Sequence, residues 1–137
     1  MVIMVIDGQG GGIGAAVIKS LRTRGGEDLL IWALGTNSIA TSRMMKAGAN
    51  RGATGENAIV QSCSRVDWII GTLAVIMPNA MMGEVTPRMA EALCSSPARK
   101  VLIPLTQENV KVVGVAEEPL PHLVDRVASL VLGSGSD

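Results

Sequence analysis

The sequence predicts an α/β domain of three layers, with helices on both faces of a mostly parallel sheet. Two observations carry this prediction. Apolar runs without polar alternation, the pattern of strands buried on both faces, alternate with helix-length amphipathic segments. The composition agrees: 137 residues suit one domain with a real core, and 47% are apolar while only 18% are charged, below the usual quarter.

The elements follow in chain order. Val2 to Ile6 (VIMVI) is a doubly buried strand, and Gly8 to Gly14 is the turn after it. Ile13, Val17 and Leu21 recur every four residues, with Lys19, Arg22 and Arg24 off that stripe, so a helix follows and stops at Gly25-Gly26. Leu29 to Leu34 is the second strand. Gly35-Thr36-Asn37-Ser38 turns and caps a short helix from Ile39 to Ala47. RGATGEN (Arg51 to Asn57) reads as a polar loop in which Thr54 caps a helix from Glu56 to about Cys63. Val66 to Gly71 is a strand. Leu73 to Met82 is apolar with Pro78 inside it, and fits a buried segment and an oligomer surface equally. Thr86-Pro87 starts a helix that runs to about Cys94, with Thr as cap and Pro in the first turn. Val101 to Leu105 is a strand. Val110 to Ala116 reads as a further strand, antiparallel because the link TQEN is too short for a parallel crossover. Leu120 to Leu132 is the closing helix. Residues 1–132 thus form a single domain, and 133–137 (GSGSD) read as a flexible tail or a cloning remnant.

Composition removes several function classes. The formal net charge is zero, with no basic stripe, and Trp32 and Trp68 are the only aromatics, so nucleic acid is not an expected partner. Cys63 and Cys94 show no paired spacing, which argues against a zinc site or a disulfide framework; no metal site is expected. The start, MVIMVID, has neither a basic leader nor a membrane-length run, so the expected location is the cytoplasm. Low charge and the apolar 73–82 segment predict a homo-oligomer, a dimer.

The motif with most chemical content is IDGQGGGIG (Ile6 to Gly14). Glycine at a strand-to-helix junction lets the chain turn sharply and lets its backbone approach a ligand. The helix start adds unpaired N–H groups and a partial positive charge, which together form an anion site. Gly10, Gly12 and Ala15 match the dinucleotide spacing G-x-G-x-x-A, and Gly8, Gly12 and Gly14 match G-x-x-x-G-x-G. The ATPase phosphate loop does not fit, because Gly14 is followed by AAVIKS rather than Lys-Ser/Thr. A purely structural turn is the competing reading.

The expected fold is therefore Rossmann-like, with a nucleotide or dinucleotide phosphate held by Gly8, Gly10, Gly11, Gly12, Ile13 and Gly14. Gly35, Thr36, Asn37, Ser38, Thr54 and Gly71 lie in loops expected at the same sheet edge and complete the binding set. An NAD site wants an acid after the second strand, and GTNS has none; NADP fits, with Thr36, Ser38 or Arg43 near the extra phosphate. ATP, another phosphorylated metabolite and free phosphate stay open. Glu56 and Asp7 are the candidate acid/base groups, against the plainer readings of a dipole-favoured first-turn Glu and an Asp that bonds loop N–H groups. Glu84 in MMGEVTP either enters a pocket or is solvated, and solvation is the favoured reading. His122, the one imidazole, sits far along the chain from the glycine loop and is not expected to be catalytic, and Lys46 is read as a surface lysine. A non-catalytic module that senses a nucleotide or metabolite and acts through a protein partner is the alternative function.

The stretches IDGQGGGIG (6–14), GTNSIAT (35–41), KAGA (46–49), GATGENA (52–58), GE-V-TP (83–87) and LIP (102–104), in that order, resemble one bacterial family of short proteins. That family is known only as a domain of unknown function. The resemblance implies that the polar loops belong to one recurring site. The chain departs from the family pattern IIGPIGIVIADSLLGE, reading IIGTLAVIMPNAMMGE at 69–84 with Asn79 in place of an acid. TQEN likewise replaces an Asn/Cys-containing loop after LIP. The glycine loop is also similar to that of short-chain dehydrogenases, but their Tyr-x-x-x-Lys cannot exist in a chain without Tyr.

Overall fold

The computed structural model describes residues 1–133. The expected tail, 133–137, lies outside the described residues except for Gly133, the left-handed cap of the last helix. The chain alternates strands and helices: β1 Val2–Asp7, α1 Gly12–Gly25, β2 Leu30–Gly35, α2 Ser38–Lys46, β3 Arg51–Thr54, α3 Glu56–Ser62, β4 Trp68–Thr72, α4 Pro87–Ser95, β5 Arg99–Ile103 and α5 Leu120–Leu132. A 3-10 turn, Leu73–Ile76, leads out of β4. The sheet is all parallel in the order β3-β2-β1-β4-β5, so the Rossmann-like α/β prediction holds. Strand order reverses between β1 and β4, where ligands sit in open sheets of this kind.

β1 shows why its sequence lacks alternation. Ile3 and Val5 enter one core with Val17, Ile18 and Leu21 of α1, Met44 of α2 and Val124 and Val127 of α5. Met4 and Ile6 enter the other, with Ile59 of α3, Val75, and Met89 and Leu93 of α4. Both faces of the strand are therefore dry, and each such side chain contributes about 1.5–3 kcal/mol by burial. Caps set the helix starts. Asn37 accepts the N–H of Ala40 at 2.9 Å, and Thr86 Oγ1 accepts that of Met89 at 3.2 Å with Pro87 in the first turn.

Three local expectations are corrected. Residues 51–54 form an edge strand rather than a loop: they pair with β2 from Trp32–Arg51 to Gly35–Thr54, and all four are exposed. Backbone pairing defines such a strand, so it leaves no apolar pattern to read. Thr54 does not cap α3. The cap position is Gly55, at φ 99°, and Thr54 Oγ1 instead lies 2.8 Å from Thr41 Oγ1. The antiparallel strand expected at 110–116 is absent. That stretch is exposed, with Val113 98% accessible and Gly114 at φ 88°, and it crosses from β5 to α5 without pairing to the sheet edge. The apolar 73–82 segment divides between two fates: Ala74, Val75 and Ala80 are buried, while Pro78, Asn79 and Met82 are exposed.

No helix of the described residues is long and apolar enough to cross a membrane.

Candidate functional site

The glycine loop leaves β1 at Asp7, whose buried carboxylate organises it. Oδ1 accepts the N–H of Gly8 at 2.8 Å and Oδ2 that of Gly14 at 2.7 Å. Burial raises the Asp7 pKa, and the nearby Glu84 adds to the rise; the Gly14 and Gly8 N–H groups and Arg43 act in the opposite direction.

The glycines of the loop have two different reasons. A Cβ on Gly8 would lie 2.5 Å from Thr36 Oγ1, one on Gly11 2.7 Å from the Ala40 Cα, and one on Gly14 2.6 Å from Met44 Sδ. Gly11 also holds φ 74°. Protein packing demands these three. Gly10 and Gly12 differ, since their Cβ atoms would meet only the Arg43 guanidinium, at 3.8 and 3.3 Å. The loop is therefore open toward a cation at these two positions. Among the described residues no hydrogen bond takes up the N–H groups of Gly12 and Ile13, at the positive end of α1.

Glu84 is half-buried and bonded into the loop rather than simply solvated, against the reading that the sequence favoured. Its Oε1 accepts the Gln9 N–H at 2.8 Å, the Thr36 hydroxyl at 2.6 Å and the Asn37 amide at 2.9 Å. One carboxylate thereby ties the glycine loop and the β2–α2 turn to the β4–α4 segment. Partial burial raises its pKa, but the bonds from Thr36, Gln9 and Asn37 outweigh that and hold the carboxyl below its ordinary value. The segment that delivers Glu84 has positive φ at Asn79 (69°), Met81 (57°) and Met82 (55°), backbone states that non-glycine residues avoid.

At the reversal of strand order lies an open cleft of about 520 Å³. Asp7 and Gln9 border it at the end of β1, Ile13 at the start of α1, Thr72 and Ala74 at the end of β4, and Leu105 to Glu108 after β5, with Met81 and Met82 at its rim. Glu108 braces the rim: its Oε1 accepts the Met81 N–H at 2.9 Å, and its own N–H bonds Thr106 Oγ1 at 2.9 Å. Thr72 is 5% exposed, and its Oγ1 is the one buried side-chain oxygen or nitrogen among the described residues without a hydrogen-bond partner. Such an unmet group costs about 1–3 kcal/mol.

Of the sequence-predicted site residues, the structure brings Asp7 and Ile13 to this cleft, with Gly10 and Gly12 on the adjoining α1 start. Thr36 and Asn37 stand behind the glycine loop and contact Glu84. Gly35 and Gly71 end their strands under close packing; a Cβ would lie 2.1 Å from Thr41 Oγ1 in the first case and 3.0 Å from a Val75 methyl in the second. Ser38 is exposed on the first turn of α2. Thr54 and Glu56 lie outside the cleft lining. Glu56 accepts the Thr86 hydroxyl at 2.6 Å and approaches Arg88 at 3.9 Å. Sequence reasoning did not single out Thr72, Thr106 or Glu108 as site residues. For Thr72 a signal existed: ALGT (33–36) and IIGT (69–72) are two strands with the same Gly-Thr ending. No group of three His, Cys, Asp or Glu residues suited to a metal occurs among the described residues.

A family model described as "Domain of unknown function (DUF3842)" matches residues 2–134. The chain belongs to this family. The resemblance read from the loop motifs is thus borne out, and the family carries no assigned activity. Comparison with curated proteins finds no match. Among solved structures, a dodecameric FMN-dependent UbiX-like decarboxylase from Escherichia coli O157:H7 is similar to this member of the family, at 16% identity and a TM-score of 0.48. The alignment covers 97% of this chain and 76% of that one. A likeness at that level bears on neither ligand nor chemistry.

Proposed function

We propose that the protein binds a phosphate-bearing small molecule, a nucleotide or dinucleotide with NADP among the candidates. The phosphate sits on the start of α1 at Gly10–Ile13, and the rest of the ligand extends into the adjoining cleft. The observation that supports this most is the pairing of unclaimed Gly12 and Ile13 N–H groups with bare glycines beside the exposed Arg43, on the rim of a cleft at the strand-order reversal. Packing explains Gly8, Gly11 and Gly14, but it does not explain why Gly10 and Gly12 lack side chains.

A second reading, ligand sensing without catalysis, is favoured by the two acid/base candidates. Both Asp7 oxygens are occupied by loop N–H groups, and Glu56 is bonded to Thr86 outside the cleft. Neither is a free base beside a ligand.

The test is a thermal-shift panel of NAD, NADP, ATP, GTP, AMP and inorganic phosphate. A ligand at about 100 times its dissociation constant adds ~2.7 kcal/mol of stability. We expect at least one nucleotide to raise Tm and Gly12→Asp, which places a carboxylate on the helix start, to abolish that rise. No rise with any of the six compounds would refute the proposal.

A further inference from the structure

The orphaned hydroxyl of Thr72 says what kind of group the cleft takes, given the reading above that a phosphate occupies the α1 start. Thr72 ends β4. Val5 of β1 pairs with Ile70 of β4, and Asp7 and Thr72 each stand two residues further on, side by side at the carboxyl ends and on the same face of the sheet. Both border the cleft. Valine has nearly the shape of threonine, so a hydroxyl that bonds nothing in the folded protein gains it no stability. Among the lining residues the charges are the carboxylates of Asp7 and Glu108; Lys, Arg and His are absent from the lining. Ile13, Ala74, Met81 and Leu105 supply apolar wall. The groups suited to an anion, the free N–H groups of Gly12 and Ile13 and the Arg43 guanidinium, gather at the α1 start on one edge of the cleft.

We infer that the cleft is a subsite for the end of the ligand remote from the phosphate. That end is an uncharged or cationic group on a largely apolar frame, and it completes the hydrogen bonding of the Thr72 hydroxyl. The site is polarised, with the anionic end of the ligand on the start of α1 and its neutral end between Asp7, Thr72 and Glu108. A nucleoside monophosphate or a dinucleotide meets this description. A molecule with acidic groups at both ends does not, because its second anion would face two carboxylates with no cation among the lining residues.

The experiment is calorimetric titration of wild type, Thr72→Val and Thr72→Ser with AMP, NAD, NADP and inorganic phosphate, beside melting curves of the ligand-free proteins. Thr72→Val should melt at or above the wild-type temperature without ligand, because it removes only an unmet hydroxyl. It should bind AMP, NAD or NADP about tenfold more weakly, the usual effect of one lost hydrogen bond. Inorganic phosphate, which reaches only the helix start, should bind both proteins alike, and Thr72→Ser should keep the nucleotide affinity. Unchanged nucleotide affinity in Thr72→Val would overturn the inference and leave the phosphate reading standing. An equal loss for inorganic phosphate would also overturn it, since Thr72 would then act on the phosphate or on the fold. No binding of any of these compounds to wild type would overturn both.

Discussion

Removing the carboxylate of Glu84 should loosen three segments at once. Glu84→Ala deprives the Gln9 N–H, the Thr36 hydroxyl and the Asn37 amide of one shared acceptor. Hydrogen bonds to a charged group contribute about 1.5–3 kcal/mol each when dry. Glu84 is only partly buried, so water replaces much of what is lost, and a net cost of about 2–3 kcal/mol follows. For a domain of this size that corresponds to a fall in Tm of about 6–12 °C. The assay is thermal melting of both proteins from pH 7 down to pH 3. The folded-state pKa of Glu84 is lowered, so its contribution is fully present above the unfolded value, about 4.3, and is lost as pH falls through the folded value. The gap between wild type and Glu84→Ala should therefore be widest near pH 7 and narrow as pH falls below the unfolded value. Asp7, whose pKa is raised chiefly by burial and further by Glu84, acts with the opposite sign; Glu84→Ala relieves the part due to Glu84 and so narrows the gap somewhat at pH 7. Equal melting at pH 7, or a gap as wide at pH 3 as at pH 7, would refute the role given to Glu84.

Gly35→Ala should cost more than about 3 kcal/mol or prevent folding, because its Cβ would meet backbone atoms of Asn37 and Thr41 at 2.7 Å; Gly10→Ala, facing only Arg43 at 3.8 Å, should melt like wild type. Melting of the pair checks this, and equal effects would contradict the two reasons assigned to the glycines. Cys63 is buried, with burial pushing its thiol up to about 11 while Lys100 pulls slightly down, whereas Cys94 is exposed. A thiol reagent at pH 8 should label one cysteine in the native protein and two after denaturation, as read by intact mass.

Much of the architecture was legible along the chain. VIMVI announced a strand buried on both faces because Ile3 and Val5 enter one core and Met4 and Ile6 the other. The turn Gly35-Thr36-Asn37-Ser38, within which Asn37 is the cap, and the pair Thr86-Pro87 marked helix starts because capping is a contact within three residues. The family was readable from six short motifs for the same reason, since each is local. Local patterning failed where a contact or its absence was remote. The exposed RGAT became a strand through backbone bonds to β2, and Val110–Ala116 did not become one because no strand partner meets it.

The candidate site divides in the same way. The sequence by itself determined that a bare loop joins β1 to α1, and that Asp7 stands at its entrance. Only the tertiary structure decided which glycines packing requires and which stay open, because that depends on Ala40, Met44 and Thr36 of another strand-helix unit. It also decided that Glu84 closes on Gln9, 75 residues away, and that Thr72 is left without a partner at the strand-order reversal. Periodicity records whether a residue is buried. What a buried polar group meets depends on segments distant in the chain, which assemble only when the sheet does.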